Sequence, residues 1–219
     1  MNSPMNHKIA DLRKEYSLKS LDVSNVANSP IEEFERWFDE ALQSEIEEPN
    51  AMFVATVAGG RISGRVVLLK GIEEGDFVFF TNYNSLKGQS IIENPQVALT
   101  FLWTALERQV RIEGVASIAS EAYSTQYFHS RPRESQIGAW VSPQSQVIES
   151  REFLEQEYQR YSELFAQEAV IPKPPHWGGI AVKPRLVEFW QGRASRLHDR
   201  IVYEWAEERN AWKIYRLAP

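Results

Sequence analysis

Apolar side chains recur at helical spacing early in the chain and then switch to the spacing of strands. Ile31, Phe34, Trp37, Phe38, Ala41 and Leu42 fall mostly three or four apart, the stripe that lets a helix bury one face. Ser29 supplies an N-cap, Pro30 suits the first helical position and Glu32 completes a capping box, so the helix is predicted to open there. From residue 51 the pattern predicts strands over 51–57, 61–70 and 76–82, joined by turns at Gly59-Gly60 and through Gly71 and Gly75. A short helix over 85–93 stops before Pro95, and two more strands follow over 96–103 and 107–117. Helices are predicted near 120–129 and, in a more polar stretch, over 149–167. Late strands cover 179–191, 196–205 and 212–217, with Pro172, Pro174 and Pro175 marking the loop ahead of them.

Many strands at short spacing, with helices inserted rather than alternating, predict a mainly β, α+β fold: a closed or nearly closed antiparallel barrel carrying peripheral helices. Residues 1–28 are polar and mixed, with a short helix near 9–16, and read as a mobile arm. At 219 residues, the rest (29–219) is expected to form a single domain.

Composition narrows the chemistry. The chain has no cysteine, which excludes disulfides, thiolate nucleophiles and cysteine-based metal centres, so redox work would need a borrowed cofactor. His7, His129, His176 and His198 are far apart without a paired spacing, and no metal site is expected. No dinucleotide fingerprint, P-loop or serine-hydrolase elbow is present. The longest apolar stretch, near 51–58, is too short to span a bilayer, and the N-terminus lacks an apolar signal core. A cytoplasmic protein with no membrane partner is therefore expected. The formal net charge of −6 argues against general nucleic-acid binding, so any anionic ligand must be met by locally clustered cations.

Those clusters are few. In the strand from Arg65 to Lys70, alternation puts Arg65, Val67 and Leu69 on one face and Val66, Leu68 and Lys70 on the other; a ligand role and two solvated strand ends explain the cations equally. Thr81, Asn82, Ser85 and Lys87 surround a helix start, where free N–H groups suit a phosphate, although simple capping by Ser85 explains the segment too. Strand alternation sends Gln109 to the face of Glu107 and Arg111. Tyr127, Arg131 and Ser135 would stack on one face of a continuous helix, but Pro132 disfavours helical geometry at Arg131, which leaves convergence from a helix end and a turn or, as the residues alone favour, a surface Arg-Pro-Arg turn. A strand through Arg196, Leu197, His198, Asp199 and Arg200 would set Arg196, His198 and Arg200 side by side, a costly cluster unless an anion or electron-rich ring lies over it or water bathes it.

Taken in order, RVVLLK, FFTN, ERQV, YFHSRPRESQIGAWVSPQS, VEFWQG and RLHDR resemble the pyridoxine (pyridoxamine) 5'-phosphate oxidase family, and the likeness runs from about Ile9 to Pro219. The resemblance implies an FMN-binding split barrel with active sites at a homodimer interface. It also implies oxidation of pyridoxine 5'-phosphate and pyridoxamine 5'-phosphate by dioxygen to pyridoxal 5'-phosphate, with release of hydrogen peroxide. By the same resemblance Arg65, Val66, Val67, Leu68, Leu69, Lys70, Phe80, Thr81, Lys87, Gln109, Gln144, Ser145, Trp190 and Arg200 are the FMN positions. Lys70, Tyr127, Arg131 and Ser135 are the substrate-phosphate positions. Arg196 and His198, taken as catalytic, lie with Leu197 over the substrate ring, and Arg13, Lys14, Glu15 and Tyr16 belong to a segment that covers the site. Two positions depart from the family pattern: Leu86 stands where an arginine is common and Glu48 where an aspartate is common. The first removes one contact to the FMN phosphate. Another split-barrel flavoenzyme, such as a flavin reductase, and a non-catalytic FMN or pyridoxal-phosphate carrier are the alternatives.

Overall fold

The computed structural model describes residues 15–219. Arg13 and Lys14 lie outside the described residues, as does most of the helix expected near 9–16, of which residues 15 and 16 are irregular. Among the described residues the chain forms strands β1 (Ala51–Ala58), β2 (Arg61–Leu68), β3 (Gly71–Glu73), β4 (Asp76–Asn82), β5 (Gln96–Trp103), β6 (Arg108–Ile118), β7 (Trp177–Gln191), β8 (Asp199–Ala206) and β9 (Ala211–Leu217). Helices α1 (Pro30–Leu42), α2 (Leu86–Glu93), α3 (Glu121–Ser130), α4 (Arg133–Val141) and α5 (Arg151–Leu164) are inserted between them. The hydrogen-bonded order is β2-β1-β5-β6-β7-β4-β3, with β8 on β7 and β9 on β8. The path ends at β2 and β3, so the sheet is split rather than closed. No helix among the described residues is long and apolar enough to cross a membrane.

The chain divides into two compact units. One contains, among the described residues, those up to Pro49 together with Phe101–Arg111 and Leu186–Pro219; the other contains Asn50–Thr100 and Ile112–Arg185. In the first, α1 buries Phe34 and Trp37 along the predicted stripe. Phe34 packs on Phe101 and Trp103 with centroids 5.0 and 6.0 Å apart, and Trp37 meets the edge of Phe189 at 5.1 Å. Arg108 lies 4.1 Å over the Trp37 ring while its guanidinium bonds Gln191 and Glu40, so a buried cation is neutralised inside the core. The expected capping box does not form: Ser29 Oγ accepts from the Ile31 amide rather than that of Glu32, and the buried Glu33 reaches back to the Ala27 amide. β7, β8 and β9 pair antiparallel in this unit from Leu186 onward.

In the second unit β1 and β2 form a hairpin through Gly59 and Gly60, both at positive φ (53° and 72°), as the two-residue glycine turn requires. β3, expected as part of a turn, pairs with β4. Ser85 caps α2 from a fully buried position, accepting from the Gly88 amide while donating to the Asn82 carbonyl. α3 ends where Pro132 forces Arg131 into an extended conformation (φ −77°, ψ 151°), and α4, absent from the sequence expectation, starts at once. Phe128, Ile137, Val141, Phe165, Ile171 and Trp177 form the core that α3 and α4 share with the chain entering β7.

Removing the Phe34 ring leaves a cavity among Phe101, Trp103 and Phe38. Phe34→Ala is expected to cost about 3–5 kcal/mol, read as a lower urea midpoint with an unchanged denaturant slope.

Candidate functional site

A cavity of about 380 Å³ in the second unit is lined by Arg65, Val66, Val67, Leu68, Lys70, Phe80, Thr81, Lys87, Tyr127, Arg131, Gln144 and Trp177, a size typical of small-molecule sites. Its four cations come from three places in the chain. Arg65 and Lys70 were expected on opposite faces of one strand, yet both line the cavity, because β2 stops at Leu68 and the alternation ends with it. Lys87 arrives from the first turn of α2 and Arg131 from the extended link between α3 and α4.

Among the described residues none of these cations has a carboxylate partner. Arg65 donates to neutral oxygens only: Thr56 Oγ1 at 2.9 Å, Ser63 Oγ at 2.9 Å, and the Ser63 and Val54 carbonyls. Lys87 Nζ donates to Thr81 Oγ1 at 3.0 Å and Gln144 Oε1 at 3.1 Å. Arg131 Nη1 is buried without a hydrogen-bond partner. Burial lowers the pKa of all three, and for Lys87 the nearby Arg65 charge lowers it further. Half-buried cations with neutral or missing partners are unfavourable by themselves. A phosphoryl group is the ligand chemistry that satisfies them, since it supplies negative charge and several acceptor oxygens.

The wall beside these cations is aromatic. Phe80 stacks on Tyr127 at 3.9 Å with an interplanar angle of 17°, and Trp177 continues the stack at 5.3 Å from Phe80. The Arg131 guanidinium lies 4.7 Å over Trp177, an attraction that fixes a cation without neutralising it. A flat ring and a phosphate are thus both accommodated, and the donor set fits a phosphorylated flavin.

Other expected residues lie elsewhere. Leu69 is buried in the core, and Ser135 and Ser145 do not line the cavity; Ser135 sits in the first turn of α4, and Ser145 occupies a left-handed turn (φ 72°). Gln109, Trp190, Arg196, Leu197, His198 and Arg200 belong to the first unit. The strand expected over 196–205 begins only at Asp199: Ala194–Arg196 is a 3-10 turn, with Ser195 and Arg196 at φ 57° and 60°. The row of Arg196, His198 and Arg200 on one strand face is therefore corrected, because two successive left-handed residues break the alternation before it starts. Arg196 and Leu197 are exposed. Glu107 is likewise not in β6 but left-handed (φ 55°) just before it, so it does not share a strand face with Gln109 and Arg111.

His198 packs on Trp190 with centroids 4.6 Å apart. Its Nδ1 accepts from the Arg193 amide at 3.1 Å, which leaves Nε2 to carry the ring proton. Tyr16 meets both rings edge-on at 5.8 Å. Arg200 is held by Glu188 through two bonds of 2.7 and 3.1 Å, and Arg111 approaches the same carboxylate at 3.0 Å. Burial would raise the Glu188 pKa, but the hydrogen bonds and charges of Arg200 and Arg111 outweigh it and hold the group below the usual carboxylate value. Sequence reasoning missed Glu188 and Trp177. The one stands in the VEFWQG motif with no partner visible in the sequence, and the other sits in a proline-rich approach with no periodic signal.

Comparison with known proteins agrees with this chemistry. The family model described as pyridoxamine 5'-phosphate oxidase matches residues 38–165, and that of the pyridoxine 5'-phosphate oxidase C-terminal dimerisation region matches residues 177–219. Pyridoxine/pyridoxamine 5'-phosphate oxidases from Nostoc punctiforme and Trichormus variabilis are 54% and 52% identical, over 98% of this chain and 100% of theirs. Among solved structures, PhzG from Burkholderia lata, in complex with tetrahydrophenazine-1-carboxylic acid, superposes with a TM-score of 0.83 at 29% identity, over 92% of this chain and 100% of its own. A pyridoxamine 5'-phosphate oxidase-related, FMN binding protein from Nostoc punctiforme shares the fold, with a TM-score of 0.69 at 16% identity over 87% of this chain and 98% of its own. The chain belongs to the pyridoxamine 5'-phosphate oxidase family of oxidoreductases.

Proposed function

We propose that this protein binds FMN and oxidises pyridoxine 5'-phosphate and pyridoxamine 5'-phosphate to pyridoxal 5'-phosphate, in the biosynthesis and salvage of vitamin B6 in the cytoplasm. The observation that carries this reading is the set of half-buried, carboxylate-free cations Arg65, Lys87 and Arg131 around one aromatic-walled cavity. FMN, when bound, supplies a two-electron acceptor that dioxygen regenerates, so the alcohol yields the aldehyde and hydrogen peroxide, and the amine consumes one water and yields ammonia as well.

The chain's own work is positioning and charge. Arg65, Lys87, Thr81 and Gln144 hold the flavin phosphate end, with residues 66–70 and Phe80 along the cofactor and Gln109, Ser145, Trp190 and Arg200 completing its contacts. Lys70, Tyr127, Arg131 and Ser135 seat the substrate phosphate. Arg196 and His198 orient the substrate ring, His198 presenting its Nε2 proton, with Leu197 beside them. Glu15 and Tyr16 lie over the substrate. The active unit is a homodimer whose interface forms the active site, consistent with the matched dimerisation region. A flavin reductase would have no use for a second phosphate seat; the unpartnered Nη1 of Arg131 favours the oxidase.

With FMN-loaded protein and pyridoxamine 5'-phosphate in air, aldehyde and peroxide are expected in equal amounts. Flavin reduction by a nicotinamide donor without substrate oxidation would transfer the protein to the reductases, and bound flavin with no turnover of either kind would make it a carrier. Arg131→Ala is expected to raise KM roughly 10- to 100-fold with kcat little changed, the loss of one charge-assisted contact. Arg196→Ala and His198→Ala are expected to lower kcat as well; equal effects from both classes would contradict the division of roles.

Lys87 also sets a pH dependence. Its folded pKa lies below the ordinary lysine value through burial and the Arg65 charge, and a bound phosphate favours its charged form. FMN affinity is therefore full below the folded pKa and falls as pH rises through it, earlier than an ordinary lysine would titrate. Flavin-fluorescence titrations from about pH 7 to about pH 10 should show this decline in the parent protein and a weak, flat profile in Lys87→Gln.

A further inference from the structure

Glu107 is buried and left-handed at φ 55°, a conformation that disfavours any residue with a Cβ. Its side chain faces the N-terminal segment: Oε2 accepts from the Ser17 amide at 2.9 Å and the Leu18 amide at 3.1 Å. Its carbonyl accepts from the Gly192 amide at 2.8 Å and from Gln191 Nε2 at 3.2 Å. One residue therefore ties the segment to the end of β7. Gly192 completes the contact, because a Cβ built there would lie 2.7 Å from Tyr16 Cγ and 2.8 Å from Tyr16 Cβ. The tyrosine can approach only where that side chain is missing. Further along, the Leu21 amide donates to Asp199 Oδ2 at 3.0 Å. The result is Tyr16 held edge-on against both Trp190 and His198.

We infer that Glu107 and Gly192 form a dock for residues 16–18, and that both are positioning residues: they act on the substrate ring through Tyr16 and His198 without touching it. The inference rests on the proposed role of His198 only for its kinetic part; the dock itself stands on geometry. A carboxylate is the suitable partner because it accepts from two successive backbone amides at once.

The test uses FMN-loaded protein and two readouts. Trypsin cleavage after Lys19 requires the segment to open, so its rate reports docking without reference to activity. Glu107→Ala and Gly192→Ala should each speed this cleavage by about tenfold or more, and Glu107→Gln, which keeps one acceptor, should fall between Glu107→Ala and the parent. In steady-state kinetics with pyridoxamine 5'-phosphate, Gly192→Ala and Tyr16→Ala should lower kcat/KM by a similar factor. The double variant Tyr16→Ala/Gly192→Ala should be no worse than Tyr16→Ala, since the added methyl then has nothing to displace. Additive losses in the double variant, or cleavage at the parent rate in both Glu107→Ala and Gly192→Ala, overturn the dock. Faster cleavage with unchanged kinetics overturns the positioning role. A parent protein that turns nothing over, while cleavage still follows the expected pattern, removes the proposed function and leaves the dock in place.

Discussion

Positive charge held half out of water without a carboxylate is the constraint around which the rest of the site is built. Arg65, Lys87 and Arg131 line one cavity, and each is met by hydroxyls, amide and carbonyl oxygens or a ring face rather than by an acid. Folding does not favour such an arrangement for its own sake. In a chain of net charge −6 carboxylates are abundant, so their absence from this cavity among the described residues is a property of the fold. The neutral oxygens hold the cations in place without cancelling their charge, and that charge remains available to a ligand.

The other unit treats its cations in the opposite way. Arg108 is bonded to Glu40 and Gln191, Arg200 and Arg111 share Glu188, and Arg216 pairs with Asp199 and Asp22. Glu188 and Arg108 are buried, where loss of one partner would leave the other uncompensated. These networks fix side-chain directions. Arg200 in particular is clamped by Glu188 on two nitrogens and by the Ala218 carbonyl on the third, so whatever it touches meets a rigid group rather than a mobile one.

Periodicity made α1 and most strands legible, because their apolar faces are buried as the pattern requires. It failed where backbone conformation, not side-chain polarity, decides direction. Ser195 and Arg196 are left-handed, which no alternation rule registers, and the early end of β2 turns Lys70 toward the same cavity as Arg65. Pro132 did announce a break, but α4 rather than a turn follows the end of α3, and Ser135 in its first turn does not join Tyr127 and Arg131 in lining the cavity. Trp177 and Glu188 were invisible for another reason. Their importance lies in what they touch, Arg131 in one case and two arginines in the other, and those neighbours are distant in sequence. The ordered motifs carried the family; VEFWQG contains Glu188 without showing what it pairs with, and Trp177 lies outside all of them.

Leu86 shows how the charge constraint works in both directions. It is exposed at the first position of α2, next to Lys87, where the resemblance of the sequence motifs leads one to expect an arginine. Arg65 already lowers the pKa of Lys87, so a third cation there would add to a repulsion that the ligand-free protein must bear. With leucine the free site carries less of that repulsion, and the bound phosphate loses one donor. The two effects oppose each other: less repulsion keeps Lys87 charged to higher pH, whereas the missing donor weakens the hold on a phosphate. In the proposed reading the phosphate then relies on Arg65 and Lys87, and their neutral hydrogen-bond partners matter as much as the charges themselves: Thr81 and Gln144 hold Lys87 in place without cancelling its charge.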